Sequence, residues 1–190
     1  MTRTSAKPIS NMNVPWYRKI FFKKRVPDLT EVRRKAELGD AEAQFALGLN
    51  CEFIADGGQR EAEVAKWFRR AADQGHSLAQ FNLAVMYAAG HGVPVDEAEA
   101  GRLFHLAADQ GDAGAQFRMG KRCQRRSFEP SKGDASEARV EAYKWFQLAA
   151  TQGYGNSETY LERSSLKLSR EEFDEARRRV AAFAAAVTEG

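Results

Sequence analysis

A period of 36 residues is the feature of this sequence that most constrains its fold. Residues 40–75 and 76–111 are identical at 13 of 36 positions without a gap, and residues 112–153 align with both once six inserted residues are allowed. Each unit ends on the same five residues, written AADQG, AADQG and AATQG, at 71–75, 107–111 and 149–153. A period of this length is typical of solenoids, in which each unit buries its apolar face against its neighbours.

Each unit predicts two helices joined by a turn. In the first unit Ala43, Leu47 and Cys51 lie four residues apart, on one face of a helix that covers about residues 41–53. The second helix has the apolar stripe of an amphipathic helix, formed by Val64, Trp67, Phe68 and Ala71. The glycine of AADQG ends this helix, because glycine adopts the left-handed conformation at little cost. The pattern predicts an all-α fold.

The flanking segments predict caps for the array. Asp28 with Glu31, and Ser169 with Glu172, have the spacing of capping boxes at helix starts. Helix N-caps are also expected at the aspartates that follow a repeat glycine, Asp40 and Asp112. The predicted organisation is, in chain order, a basic aromatic tail at 1–27, a capping helix at 28–39, three repeats at 40–75, 76–111 and 112–153, and a capping helix pair at 154–190.

The repeated residues resemble a known family. The pattern A-x-A-Q-x-x-L-G, then a G-x-G-V loop, then D-x-x-x-A-x-x-W/L-x-x-x-A-A-x-x-G, is similar to the Sel-1-like repeat of the tetratricopeptide-like superfamily, in its bacterial form. Here it stands as AEAQFALG, as GHGV with Asp96, Ala100 and Leu103, and as AKWFRRAADQG. The similarity covers about residues 28–175. It implies a right-handed α–α superhelix that acts as an adaptor or scaffold for other proteins.

The same resemblance implies where a partner protein binds. In tetratricopeptide-like solenoids the first helices of the units line a concave face, and their outward positions differ between units. These positions are Glu42, Leu49, Glu52 and Phe53 in the first unit, Leu78, Val85, Ala88 and Ala89 in the second, and Gly114, Lys121, Gln124 and Arg125 in the third. The expected groove therefore changes from apolar and acidic to basic along its length.

A basic helix face precedes the inserted residues of the third unit. It is formed by Arg118, Lys121, Arg122, Arg125 and Arg126. Two interpretations are open: the face could receive an acidic peptide or a phosphate through charge-assisted hydrogen bonds, or it could be a solvated face that balances the acidic second helices. The first interpretation predicts that the partner is a protein with an acidic segment.

The N-terminal tail concentrates positive charge. Residues 1–27 carry seven Lys or Arg and no acid, whereas the rest of the chain holds 22 basic and 26 acidic residues. The tail could form a helix packed on the first repeat, or an arm that binds a partner. As an alternative function it could attach the protein to a membrane surface or to nucleic acid, through Trp16, Lys19, Lys23, Lys24 and Arg25. So short a helix binds anionic lipid only weakly, so membrane and nucleic acid are the less expected partners.

The sequence predicts a soluble cytoplasmic protein without disulfides. No apolar run approaches the length of a bilayer span, and the N-terminus lacks the apolar stretch and small-residue cleavage site of a secretory signal. Cys51 and Cys123 occupy equivalent positions two units apart, about 20 Å from each other when helices pack 8–10 Å apart. A disulfide requires Cα atoms within about 7 Å, so both thiols are expected to be unbridged and packed in the core.

Catalytic chemistry is not indicated. His76, His91 and His105 show no metal-ligand spacing with cysteine or carboxylate, and we expect all three to be solvated. The sequence contains neither a phosphate-cradling glycine loop nor a catalytic triad. It predicts a non-enzymatic protein with no catalytic residue, no metal, no cofactor and no small-molecule substrate.

Two tryptophans are expected to support the second helices. Trp67 and Trp145 occupy matching positions and are predicted to face the core between helices. Replacing either by alanine is expected to cost about 3–5 kcal/mol of stability.

Overall fold

A computed structural model of the chain describes residues 29–50, 57–128 and 135–189, and every regular element in these ranges is an α-helix. Their bounds are α1 Leu29–Glu37, α2 Ala41–Asn50, α3 Gly57–Asp73, α4 Ser77–Ala89, α5 Glu97–Asp109, α6 Ala113–Arg126, α7 Ala135–Thr151, α8 Ser157–Ser165 and α9 Arg170–Glu189. The prediction of an all-α protein is confirmed. The end predicted for the first helix of the first unit, at about residue 53, lies outside the described ranges.

The helices form one continuous stack. Consecutive helices from α1 to α8 pack against each other, and α9 packs against α7. The main core runs from Phe45 in α2 to Leu148 in α7. A smaller cluster around Ala36 and Leu47 joins α1 to α2, and another around Val140 and Ala176 joins α7 to α9. This arrangement is the helical solenoid that the 36-residue period predicts.

Close approach of the two helices within a unit depends on a small residue in the first helix. The position is Gly48 in α2, Ala84 in α4 and Gly120 in α6. A Cβ atom on Gly48 would lie 2.7 Å from the ring of Phe68, and one on Gly120 would lie 2.6 Å from the ring of Phe146. The G of the AQF-x-x-G pattern therefore makes room for the phenylalanine of the second helix, which fills the space between the helices.

Buried glutamines join each unit to the unit before it. We call α1 and the second helix of each unit second-type helices. The glutamine of AQF donates its side-chain N–H to an alanine carbonyl in the last turn of the second-type helix before it. The pairs are Gln44–Ala36 (3.1 Å), Gln80–Ala72 (3.2 Å) and Gln116–Ala108 (3.3 Å). Its carbonyl oxygen accepts from the glutamine of AADQG or AATQG in its own unit, in the pairs Gln74–Gln44 (2.8 Å), Gln110–Gln80 (2.7 Å) and Gln152–Gln116 (2.9 Å). We call this arrangement the glutamine relay.

The relay explains why the sequence repeats both AQF and AADQG. A last-turn helix carbonyl has no partner within its own helix, and a buried polar group without a partner is costly. The three AQF glutamines are almost fully buried, with exposures between 1% and 4%. No buried side-chain nitrogen or oxygen of the described residues lacks a partner. The repeated letters thus encode two hydrogen bonds for each buried glutamine, one within its own unit and one to the helix before that unit.

The glycine of AADQG ends each second helix as the sequence predicts. Gly75, Gly111 and Gly153 have φ values of 85°, 89° and 66°, which is the left-handed region that glycine enters at little cost. The backbone N–H of the following residue bonds back into the last turn of the helix, as from His76 to the Ala71 carbonyl at 3.1 Å. This pattern is that of a Schellman motif.

The residue after this glycine caps the next helix. Asp40 and Asp112 each accept the backbone N–H three residues ahead at 2.7 Å, which confirms both predicted N-caps. His76 takes the same role in the second unit, because its Nδ1 accepts the N–H of Ala79 at 3.2 Å. The prediction that His76 is solvated is therefore wrong: only 14% of its side chain is exposed, and Nε2 lies 3.0 Å from Glu42.

Ion pairs and a capping box attach the terminal helix α9 to α7. The predicted capping box is confirmed, since the Ser169 N–H donates to Glu172 and the Glu172 N–H donates to the Ser169 hydroxyl. Glu172 also accepts from Arg139 and Ser136 of α7. The Arg139 guanidinium, helped by Ser136 and the Ser169 N–H, lowers the pKa of Glu172 to about 2, although partial burial acts in the opposite direction. Nearby, the guanidinium of Arg179 is bonded to carboxylates of both helices, Glu137, Glu141 and Glu175.

The two matched tryptophans have different environments. Trp145 is 1% exposed, and its ring packs edge-on against Phe183 with centroids 5.8 Å apart. This confirms its predicted core position. Trp67 is only half-buried: it packs on the small cluster between α1 and α2, and the guanidinium of Arg70 lies 4.6 Å from its ring. Trp67 thus also faces a core between helices, as predicted, but it is less covered than Trp145, because α1 is the only helix before this unit among the described residues.

We therefore expect Trp145→Ala to lower the free energy of unfolding by about 3–5 kcal/mol. Trp67→Ala serves as the matched comparison and should cost clearly less, because solvent already reaches part of its ring. Urea denaturation followed by circular dichroism measures both. Equal losses for the two variants would contradict the difference in burial.

Gln80→Leu tests the glutamine relay. The substitution removes one of two hydrogen bonds to the Ala72 carbonyl, which also accepts from the Gly75 N–H. It also removes one of two bonds from the Gln110 amide, which still donates to the Leu106 carbonyl. The expected cost is about 1 kcal/mol, the net value of a lost hydrogen bond. Gln59→Leu, on an exposed position of α3, should stay within about 0.5 kcal/mol of the wild type. Both values come from urea denaturation midpoints. A Gln80→Leu protein as stable as the Gln59→Leu protein would show that the relay adds nothing to stability.

The lowered pKa of Glu172 predicts a specific acid sensitivity. A carboxyl group whose folded pKa lies below its unfolded value stabilises the fold above the unfolded pKa, and loses that contribution as the pH falls through the folded pKa. For Glu172 this window runs from the ordinary glutamate pKa of 4.5 down to the folded pKa of about 2. Glu172→Gln should flatten the fall of unfolding free energy across this window. Urea denaturation of the wild type and of Glu172→Gln across this window measures the difference, and an equal fall in both proteins would contradict the role assigned to Glu172.

Candidate functional site

A cleft of about 480 Å³ lies where the C-terminal half of α6 meets the end of α4 and the helix α5. Its positive side chains all come from α6, and they are Arg118, Lys121, Arg122 and Arg125. The apolar lining residues are Ala88, Phe104 and Phe128. The acidic Glu97 and the neutral polar Gln124 complete the lining given by the described residues. We call this site the basic cleft.

The spacing of α6 explains why its cations converge. Residues three, four and seven apart share one helix face, and Arg118, Lys121 and Arg125 have this spacing. The same face begins at Gly114, which is buried, and a Cβ atom there would lie 3.0 Å from the ring of Phe81 in α4. Gly114 is therefore not the outward-facing concave position that the sequence predicted. The α4–α6 crossing at Gly114 directs the later residues of this face into the cleft.

Arg122 is held in place by α5. Its Nη1 donates to the backbone carbonyl of Glu97 at 3.1 Å. Its guanidinium lies over Gly101, where a Cβ atom would approach within 2.6 Å of Nη1. Lys121 lies beside aromatic rings, with Nζ 5.9 Å from the centroid of Phe117 and 5.8 Å from that of Tyr160. Both distances are in the range of cation–π attraction.

Among the described residues, no carboxylate pairs with the cations of the basic cleft. Elsewhere one arginine each of α1 and α5, and two of α9, form ion pairs with carboxylates, as Arg34, Arg102 and Arg179 show. By contrast, no carboxylate of the described residues forms a salt bridge with Arg118, Lys121, Arg122 or Arg125. Glu97 is the only carboxylate that lines the cleft in the described part of the chain, and its contact with Arg122 is through the backbone. The cleft therefore has a positive potential that an anionic group would lower.

The structure brings together only part of the predicted binding surface. Lys121, Gln124 and Arg125 line the basic cleft with Arg118 and Arg122, whereas Arg126 is exposed outside it. In the first unit Glu42 is exposed, and Leu49 is half-buried against the main core. In the second unit Leu78 and Val85 are also half-buried against this core. The other predicted contacts lie outside the described residues, and they are Glu52, Phe53, Trp16, Lys19, Lys23, Lys24 and Arg25.

Three cleft residues were not predicted from the sequence. Glu97 and Phe104 come from α5, and sequence spacing within a repeat does not show which second-helix side chains face the next repeat. Phe128 directly follows α6 and is 63% exposed. An exposed aromatic residue beside the inserted residues of the third unit was a signal that could have identified it.

The remaining reactive groups do not form a site. Cys123 is a free, buried thiol, and burial raises its pKa to about 11. It is therefore protonated and unreactive near neutral pH, as expected for core packing, while Cys51 lies outside the described residues. His91 and His105 are exposed, as expected. Within the described ranges no three metal-ligating side chains cluster.

No helix in the described ranges combines the length and the apolar character that crossing a bilayer demands.

Solved structures with similar folds come from bacteria. One is c5321 of uropathogenic Escherichia coli, described as a protective antigen displaying an SLR fold, with 27% identity and a TM-score of 0.68 over 82% of this chain. The present chain spans only 32% of that protein. Another is a Sel1 repeat protein from Oxalobacter formigenes, with 31% identity and a TM-score of 0.60 over 73% of this chain and 99% of the other. No protein with a curated description matches the chain.

A family model described as the Sel1 repeat matches three consecutive segments of the chain, at residues 41–76, 77–112 and 113–154. Together with the similar solved structures, this match confirms the resemblance inferred from AQF and AADQG, and with it the prediction of a right-handed α–α solenoid of Sel-1-like repeats. The chain belongs to the Sel1 repeat family.

Proposed function

We propose that this protein is a non-enzymatic adaptor that binds a segment of a partner protein along α2, α4 and α6, with an acidic part of that segment in the basic cleft. Sel1 repeat proteins are generally scaffolds for protein–protein interaction. The observation that carries the proposal is the set of four cleft cations without an ion-pair partner among the described residues. Charged groups that the fold does not use for its own stability remain available to a ligand.

Apolar groups in the same cleft favour a peptide over a small anion. Phe104 and Ala88 line the wall, and the exposed Phe128 stands beside Arg125 and Gln124. A peptide can place an acidic side chain on the cations and an apolar neighbour on these residues, and aromatic and arginine side chains are enriched in protein interfaces. Leu49 on α2 and Val85 on α4 are half-buried apolar residues, and we assign the apolar part of the bound segment to them.

Variation between repeats also supports the basic cleft as the binding surface. Ala43, Gln44 and Leu47 recur or are replaced conservatively in the other units because they pack the core and form the relay. The cleft positions have no such constraint: Lys121 and Arg125 correspond to Val85 and Ala89 one unit earlier. Positions that differ while the scaffold recurs are those that a solenoid can adapt to a ligand.

The partner can first be identified by crosslinking from inside the cleft. A photo-reactive amino acid in place of Gln124 is expected to capture a protein in the source cell, whereas the same group at exposed Arg33 of α1 should not capture it. Mass spectrometry of the adduct names the partner and the segment. Capture from Arg33 alone would place the binding surface away from the cleft.

The purified partner then allows a quantitative test. Lys121→Glu with Arg125→Glu should weaken its binding about tenfold, or about 1.4 kcal/mol. The thermal unfolding midpoint should barely change, because exposed charges add little to stability. Arg33→Glu with Arg170→Glu, exposed positions outside the cleft, changes the net charge equally and should bind normally. A variant that begins at residue 27 tests the alternative that the basic tail binds the partner. If this variant loses binding and the cleft variant does not, the tail is the binding element.

A further inference from the structure

We propose that the basic cleft recognises a phosphorylated side chain, presented by a short segment of the partner protein. This inference rests on the proposed function, and it specifies the chemical group that the cleft binds.

The charge of the cleft favours a phosphoryl group over a carboxylate. Of the described residues, three guanidinium groups and one ammonium group line the cleft, against the single carboxylate of Glu97. One aspartate or glutamate side chain brings one negative charge, whereas a phosphorylated serine or threonine carries about −1.5 to −2 charges at pH 7 and three strong acceptor oxygens. Arginine presents its N–H groups in a planar fork that matches phosphate oxygens. A phosphoryl group can thus accept from several of these side chains at once.

Two of the four cations are already positioned before a ligand binds. Arg122 is fixed by the Glu97 carbonyl and by its close contact with Gly101, and Lys121 lies beside the rings of Phe117 and Tyr160. Side chains that are held in the free protein lose less conformational freedom on binding. Arg118 and Arg125 are exposed and make no salt bridge within the described ranges, so they are free to close on the phosphoryl group from the solvent side.

The surroundings of the cleft favour a short protein segment over a long polyanion. A volume of about 480 Å³ accommodates a few side chains. Nucleic acids and anionic membranes gain affinity from many phosphate contacts along an extended basic track. Beyond residue 27, however, acidic residues outnumber basic ones, 26 to 22. The apolar residues Ala88, Phe104 and Phe128 beside the cations fit a side chain that neighbours the phosphorylated residue.

Three peptide mixtures test the proposal by fluorescence anisotropy. Each contains labelled nonapeptides with random flanking residues and one fixed central residue, which is phosphoserine, serine or glutamate. At physiological ionic strength the phosphoserine mixture should bind the full chain at least tenfold more tightly than the other two, and millimolar inorganic phosphate should weaken this binding. Arg118→Gln with Arg125→Gln should reduce it at least tenfold. Arg33→Gln with Arg170→Gln is the matched control, and both double variants should keep the wild-type melting midpoint.

The outcomes separate this inference from the proposed function. Equal binding of the phosphoserine and glutamate mixtures would overturn phosphate recognition, while an acidic protein segment would remain the ligand. Binding of no mixture would overturn it as well, and the crosslinked partner would then decide the proposed function alone. Phosphoinositide vesicles and a single-stranded octanucleotide are the remaining probes. Tighter binding of either than of the phosphoserine mixture, through Arg118 and Arg125, would assign the cleft to a lipid or to nucleic acid instead.

Discussion

The glutamine relay is the interaction on which the repeat geometry depends. Each AQF glutamine contacts two second-type helices at once: it donates to the last turn of the helix before it and accepts from the residue after the helix that follows it. Hydrophobic contact between amphipathic helices is not directional and permits sliding or rotation, whereas a buried amide must meet both partners in one register. The small residues at Gly48 and Gly120 then allow the helices to approach closely enough for these bonds to form. Packing therefore supplies most of the stabilisation, and the relay selects one stacking among several that packing alone would allow.

The position of the basic cleft follows from the same constraint. The residues of α6 that line it are carried by a helix whose Gln116 is bonded to the end of α5 on one side and to Gln152 after α7 on the other. The wall contributed by α5 is tied to α4 in turn through Gln80 and Gln110. Two successive steps of the relay thus determine how far α6 lies from α5. A site assembled from two repeats is well defined only when the step between repeats is rigid, and this explains how a surface cleft can have an ordered arginine such as Arg122.

The sequence predicts the fold in detail and the site only in part, for physical reasons. A repeat is visible in a sequence because every unit must satisfy the same backbone groups, and this made the helix ends at Gly75 and Gly111, the caps at Asp40 and Asp112, and the core position of Trp145 predictable. The residues that differ from the sequence-based expectation do so because of the helices packed around them, which the repeat period does not specify. Trp67 matches Trp145 in sequence, yet it has only α1 to cover it. His76 replaces an aspartate and takes over its capping bond. Glu97 and Phe104 joined the cleft because α5 faces α6 across a repeat boundary, which spacing within one unit does not reveal.

The distribution of ion pairs distinguishes structural from available charge. At the C-terminal end, where α9 covers the last repeat, Arg139 and Arg179 bind glutamates of the facing helix, and these bonds determine how the final helix docks. On α6 the arginines and Lys121 have acidic residues of the same chain nearby in sequence, yet within the described residues they form no salt bridge. Arg118, Lys121 and Arg125 are exposed to water, and the half-buried Arg122 is bonded to the Glu97 carbonyl, so the fold tolerates these cations without a carboxylate. A ligand that replaces this water must supply negative charge together with several acceptors, since fewer would leave partly buried guanidinium groups unsatisfied. The need for negative charge and hydrogen-bond acceptors is greatest at the inner wall of the cleft, where Arg122 packs against α5. The deepest group of any ligand in this cleft is therefore expected to be its most highly charged one.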